Sequence, residues 1–447
     1  MNQNQLTEGN IVKAMMSFAI PVLGALFLQA LYGAVDLVIV GKFSDIANQS
    51  GVATGSMFTT TFGHIISAFA LGMTVLIGVA MGEKEQEKVN RIMMTGILLF
   101  VIVSIFSIAS VVLGSHAIAK AMNAPVQAFI QTSAYIQVCG YGLGFIIFYN
   151  VFAAIFRGLG DSKTPLITVV IACILNVLGD LLFVAIFSMG AKGAALATVL
   201  AQAFSVLCSI FFLMKREDIP NITCKDFKIH GFYLKKLILL GFPVALQELL
   251  VGFSFIFVQS TVNTIGVVES SGVGIAEKLC AFLMLVSSSY MQSMAAFCAQ
   301  NNGAGRHDRA IQGLKIGIKT ALFAGIMTGS LAFFAGDILS SIFTNDSSVI
   351  LASYSYLKAY AIDCLLTSVL FCFIGYFNGN EHTLFVMIQG IVGAFCIRVP
   401  LVYIIHRVSN GNLFYIGLAT PASSVVQILL CLVAYFTFEK RIQYKCN

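Results

Sequence analysis

Apolar runs of about 20 residues alternate with short polar breaks along the whole 447-residue chain. In the first half they lie at 12–40, 51–80, 92–114, 126–156, 165–188 and 191–214. In the second half they lie at 234–263, 271–299, 310–335, 347–377, 384–406 and 412–437. A helix rises 1.5 Å per residue, so about 20 residues cross roughly 30 Å of hydrocarbon, and twelve transmembrane helices are predicted. Several runs exceed the minimum, which predicts tilt or kinks. The first run is too long for a signal peptide and lacks a small-residue cleavage site, so it reads as a retained helix.

The pattern is written twice. The stretch SFAIPVLGALFLQALYG at 17–33 parallels LLGFPVALQELLVGFSF at 239–255, setting Pro21 against Pro243 at an offset of 222. VAMGEKEQEKVNR at 79–91 lies over CAQNNGAGRHDRA at 298–310, and FRG at 156–158 over FNG at 377–379; both pairs, including Gly82 with Gly303, have an offset of 221. Between the copies runs the longest polar stretch, KREDIPNITCKDFKIHGFYLKK at 215–236. The expected architecture is an all-α integral membrane protein whose twelve transmembrane helices form two pseudo-symmetric six-helix bundles. The bundles are residues 1–214 and 234–447, joined by a linker at 215–233. Six is even, so both halves start from the same side and flank a central cleft, an arrangement suited to alternating access.

Composition agrees with lipid as the main solvent: 58% of residues are hydrophobic and 10% charged. The net charge of +6 matters less than its placement. The termini and the breaks after the even-numbered runs hold 19 lysines and arginines, whereas the opposite side holds Lys42, Lys120, Lys192 and Arg407. By the positive-inside rule, both termini face the cytoplasm of a multi-pass cell-membrane protein. The basic balance is thereby explained as a topology signal, without nucleic acid. The 11 cysteines lack a CxxC pair and lie mostly within apolar runs, so neither a disulfide framework nor a metal cluster is read from them.

Five acids interrupt the apolar runs: Asp36, Asp180, Glu248, Glu277 and Asp363. A charge at the bilayer centre costs roughly 3 kcal/mol, which makes each a functional candidate. Asp36 shares a helix face with Gln29, and Pro21 on the same run permits a bend. Asn176 and Asp180 stand at i and i+4 on the fifth run. Asp180 and Thr198 are equally distant from the turn near residue 189, so an antiparallel hairpin brings them to one depth. Two carboxylates, an amide and a hydroxyl then converge, an oxygen set that suits Na⁺ or a proton shared between paired acids. The alternative is that these groups are only interhelical polar contacts. In the second half, Glu248 and Asp363 are candidates for a substrate cleft. Glu248 and Arg398 at similar mid-depth, Glu277 beside Lys278, and Asp363 five residues after Lys358 can equally be charge pairs across helices.

VDLVIVG at 35–41, RGLGDSKTP at 157–165, NVLGD at 176–180 and GFPVALQ at 241–247, in this order and spacing, resemble the multidrug and toxic compound extrusion (MATE) family. The resemblance covers nearly the whole chain. It implies a secondary antiporter, not an enzyme, that expels amphipathic or cationic small molecules in exchange for Na⁺ or H⁺ through a V-shaped cleft. It also implies a cation site at Asp36, Asn176, Asp180 and Thr198, holding Na⁺ if the coupling is to sodium, with Gln29 as neighbour and Pro21 as the bending point. Many relatives have proline after the fifth-run aspartate where this chain has Leu181, and FNGNEHTLF at 377–385 has lost the arginine and proline of its first-half counterpart. No cofactor, nucleotide or nucleic-acid partner is expected, and the protein reads as a monomer in lipid. A lipid-linked precursor flippase of the same superfamily is the alternative; intramembrane acids outnumber Lys278, Lys358 and Arg398, which disfavours a pyrophosphate cargo.

Overall fold

The computed structural model describes residues 6–216 and 227–446, with side chains through 437; most of the central linker lies outside the described residues. The helices of the first half are α1 (Ile11–Phe43), α2 (Ile46–Gly82), α3 (Gln86–Ala121), α4 (Phe129–Tyr141), α5 (Leu143–Gly158), α6 (Lys163–Asp180) and α7 (Gly190–Met214). Those of the second half are α8 (Gly231–Asn263), α9 (Val267–Gly303), α10 (His307–Phe334), α11 (Gly336–Ser341), α12 (Ser347–Gly379), α13 (Thr383–Ile391), α14 (Val399–Val408), α15 (Leu413–Gly417) and α16 (Ala419–Cys446). Among the described residues, 11 helical spans are long and apolar enough to cross a membrane, and the bent pair α4–α5 makes up to 12.

The duplication survives in the helix lengths. Helices α1 and α8 have 33 residues each, α2 and α9 have 37 each, and both α1 and α8 continue through an internal proline, Pro21 and Pro243. The fourth apolar run is not straight: α4 and α5 meet at 57°. At the corner, a Cβ on Gly142 would stand 2.2 Å from Val199 Cγ1, so the break lets the chain press against α7. Two further spans widen into π-helix, at Leu181–Ile186 after α6 and at Val392–Arg398 between α13 and α14.

Two compact units divide the chain. The first comprises residues 1–8, 16–245 and 299–306, the second 9–15, 246–298 and 307–447. The division therefore runs through α8, just past Pro243, and not through the polar stretch at 215–233. Packing is the reason. A Cβ on Gly241 would come 2.2 Å from Phe69 O, and one on Gly72 3.0 Å from Leu237 O, so the first part of α8 lies backbone to backbone on α2.

In the first unit, α2 is the spine. Thr74 Oγ1 donates to Ala154 O of α5 at 2.9 Å, satisfying a fully buried hydroxyl. Near its end, α2 meets the last residues of α9, where a Cβ on Gly82 would be 2.1 Å from Gln300 O and one on Gly303 2.0 Å from Val79 O. The two glycines matched by the repeat are thus in mutual close approach. Gln300 adds a bond from Nε2 to Gly158 O at 2.9 Å. Asp161 starts α6 by accepting the backbone N–H groups of Lys163 and Thr164, both at 3.0 Å, and it pairs with Arg216 at 3.0 Å.

In the second unit, α12 is the spine, packed against α10 where Gly325 and Gly329 would each put a Cβ 2.8 Å from a carbonyl, of Cys364 and Ala361 respectively. Tyr356, Tyr360, Val258, Val273, Leu279, Val402 and Ile416 form its apolar core. Ser423 Oγ of α16 donates to Gly393 O at 2.7 Å, supplying a partner within the π-helical stretch.

Candidate functional site: paired carboxylates in the first unit

Helices α6 and α7 form a tight hairpin. Ser188 and Gly190 take positive φ (54° and 55°) at its turn, and Asn48 Oδ1 accepts the Ala191 N–H at 2.8 Å, tying the turn to the start of α2. Gly179 permits close approach: a Cβ there would stand 2.9 Å from Ala197 Cβ. The hairpin thereby carries Asn176 and Asp180 of α6 to the level of Thr198 on α7. Asp36 of α1 faces them.

Asn176 Nδ2 donates to Thr198 Oγ1 at 3.4 Å, and the Thr198 hydroxyl is 3.4 Å from Asp36 Oδ2 while also bonding Ala194 O at 3.0 Å. The carboxyl groups of Asp36 and Asp180 are neighbours in this cluster. All four side chains are buried: Asp36 is 3% exposed, Asn176 1%, Asp180 0% and Thr198 6%. Immediately after Asp180 the helix widens into the π-helical segment that begins at Leu181.

The unmet bonding capacity is all of one kind. Asp36 Oδ1, Asn176 Oδ1 and both oxygens of Asp180 are buried without a hydrogen-bond partner. Two adjacent carboxylates repel when both are charged, and unpaired buried acceptors are costly, so the cluster is chemically incomplete without a positive species. A hard cation with oxygen ligands fits, and so does a proton shared by the two acids. No group of three or more His, Cys, Asp and Glu side chains that could hold a metal occurs among the described residues. Any Na⁺ here would rest on two carboxylates and neutral oxygens.

Of the other sequence candidates, Gln29 is half-buried on α1, two turns before Asp36. Pro21 lies within the continuous α1. Glu248 is exposed on α8, whereas Asp363 is fully enclosed. Sequence reasoning missed Tyr32, Gln202 and Tyr135. Gln202 Nε2 lies 3.5 Å from the Tyr32 hydroxyl. Tyr32 precedes Asp36 by one turn and Gln202 follows Thr198 by one turn, a spacing that could have found both. Tyr135, a fully buried neighbour of Thr198, comes from α4, and its ring needs the bare surface of Gly55, where a Cβ would be 2.5 Å from Cδ1. Nothing in the local sequence announces that contact.

The sequence profile of the MatE family matches residues 21–182 and again 243–404, so each match begins at one of the paired prolines. The chain belongs to the MatE family. Among its relatives is the probable multidrug resistance protein YoeA of Bacillus subtilis, 25% identical, with 97% of this chain and 95% of the relative covered. The multidrug export protein MepA of Staphylococcus aureus is 23% identical, covering 89% and 87%. A multidrug resistance MATE family transporter solved in an outward-facing conformation shares the fold with a TM-score of 0.90 at 19% identity, covering 98% of each chain. MatE membership and the apolar spans together make this a multi-pass membrane protein.

Proposed function

We propose that this MatE protein is a multidrug efflux antiporter of the cell membrane that exports amphipathic organic cations in exchange for Na⁺ or H⁺, with both termini in the cytoplasm and the monomer as the working unit. The observation that carries the reading is the buried cluster of Asp36 and Asp180, four of whose acceptor atoms, counted with Asn176 Oδ1, lack partners. An entering ion is the cargo of the return stroke. It neutralises the acid pair, with Asn176 and Thr198 supplying neutral oxygens and Gln29 standing nearby. A ligand moves a two-state equilibrium only through its different affinity for the two states, so ion binding drives resetting if one state alone assembles the site. Pro21, which has no amide hydrogen to donate within α1, gives that helix a place to bend. Glu248, exposed on α8, and Asp363 are the second-half acids proposed to meet a cationic drug.

Energised vesicles containing the purified protein test this reading. Ethidium accumulation driven by an imposed Na⁺ or proton gradient is the expected result. Transport of a lipid-linked sugar without ethidium movement would establish the flippase instead.

A further inference from the structure

One helix of the first unit leaves a polar face uncovered at mid-length. On α2, Ala53, Met57, Thr60, Thr61 and His64 are exposed, at spacings of four, three, one and three residues that set them on a single face. The opposite face carries Gly55, Thr59 and Ile66 into the packed interior. Thr61 Oγ1 donates to Met57 O at 2.8 Å, which leaves its oxygen able to accept from elsewhere. The His64 ring makes no hydrogen bond, ion pair or ring contact among the described residues.

His64 is the central residue of α2 (Ile46–Gly82), with 18 residues on each side of it. At 1.5 Å per residue it lies about 27 Å from either end of the helix, within the part of a span that crosses roughly 30 Å of hydrocarbon. The residues that α6 and α7 leave exposed along their spans are apolar: Ile167, Val170 and Ile174 on α6, and Leu200, Phe204 and Leu207 on α7. Lipid chains solvate such residues. They do not solvate an imidazole, because a polar group without a partner is costly in hydrocarbon. The exposed face of α2 is therefore turned to water, and water at that depth in a transporter lies on the route of the cargo.

We propose that His64 contacts the cargo and selects among organic cations, favouring flat aromatic ones that carry N–H donors. A neutral imidazole presents one acceptor and one donor nitrogen, and the Thr61 oxygen adds an acceptor about one turn away on the same face. Met57, two turns before His64, ends the face in a polarisable apolar side chain against which an aromatic ring packs. An aromatic amine such as ethidium meets both chemistries: its rings lie along the face, and an amino group donates to the imidazole nitrogen or to Thr61 Oγ1. Tetraphenylphosphonium has no N–H group and gains only the apolar contact, leaving the acceptors unpaired. No acid occurs on α2, so this face does not answer the positive charge of the cargo; His64 decides which cation is taken. The inference rests on the reading of the protein as an exporter of organic cations, and two cargoes separate the one claim from the other.

The test measures KM and kcat for ethidium and for tetraphenylphosphonium in energised vesicles containing the unaltered protein, H64L or H64Q under the same imposed gradient. H64L should raise the KM for ethidium about fivefold with kcat little changed, and should leave tetraphenylphosphonium within about twofold. H64Q, which keeps a donor and an acceptor, should return the ethidium KM to within about twofold of the unaltered protein. Residue 64 is exposed, so these variants should accumulate; if H64L does not, H64C supplies the same comparison. In a second arm, H64C should react with a charged methanethiosulfonate supplied in water, while I174C on the exposed face of α6 should not, as read by mass spectrometry of the labelled peptide. An equal effect of H64L on the two cations, an ethidium KM that H64L leaves unchanged, or an H64C side chain as unreactive as I174C would each overturn the proposal. If the unaltered protein moves neither cation, the exporter reading fails and takes selection by His64 with it, a result distinct from the other three.

Discussion

The hydroxyl of Thr198 stands between two acceptors, 3.0 Å from Ala194 O within its own helix and 3.4 Å from Asp36 Oδ2 on α1. A hydroxyl has one hydrogen, and the shorter bond claims it. The oxygen of Thr198 is then turned to the cluster chiefly as an acceptor, the same sense as the unpartnered atoms of Asp36, Asn176 and Asp180. Thr198→Ala and Asn176→Ala should each weaken ion affinity by about 1 kcal/mol, roughly fivefold, without abolishing transport. Ion-dependence curves of efflux measure this; unchanged half-saturation in both variants would remove the neutral ligands from the site.

The close approach of Gly82 and Gly303 sets up a second expectation. A methyl group at either position meets backbone at about 2 Å, a distance that requires α2 and the end of α9 to separate. Gly82→Ala and Gly303→Ala should disfavour the described conformation and slow transport at least severalfold, seen as altered cysteine accessibility near Gln300. Gly252→Ala and Gly274→Ala, where a Cβ meets nothing within 4 Å, are matched controls and should transport normally. Equal behaviour of the two pairs would show that this crossing is not constrained.

Asp161 explains part of RGLGDSKTP in structural terms. It starts α6 and pairs with Arg216 across to the end of α7, with side chains only 8% and 19% exposed respectively. Asp161→Asn keeps an acceptor for the helix start but removes the ion pair to Arg216, whereas Asp161→Ala removes both contributions. The alanine variant should be the less stable by about 1 kcal/mol, the usual worth of an N-terminal cap, read as a lower melting temperature in detergent. Identical melting of the two would deny the capping role.

Much of this was legible in sequence because the relevant contacts follow helical spacing. The step from Asn176 to Asp180, and the equal distances of Asp180 and Thr198 from the turn, needed only a straight hairpin. The offset of Pro21 and Pro243 needed only comparison of the two halves. The 57° bend at Gly142 was not legible, since a long apolar run reads alike whether straight or broken. The division of the chain inside α8 depends on glycine-mediated packing against α2, a long-range fact. Tyr135 comes from a helix distant in sequence from Thr198, and the π-helical segments at Leu181–Ile186 and Val392–Arg398 leave no periodic signature.

Membrane orientation rests on the asymmetry of basic residues, and Ile229, exposed ahead of α8, reports on it. Ile229→Cys should react with an impermeant maleimide only after cells are opened. Labelling in intact cells would invert the topology.

Gradient-driven ethidium efflux by Asp36→Asn and Asp180→Asn, reconstituted at matched amounts of folded protein, tests the central claim most directly. Replacing either acid by its amide lowers the burden of a buried charge, so both variants should insert and accumulate near normally. Efflux should fall in each to the level of empty vesicles, with loss of ion binding. Normal efflux by Asp36→Asn, or a loss traced wholly to failure of the protein to accumulate, would contradict the assignment and leave the carboxylates as structural contacts between helices.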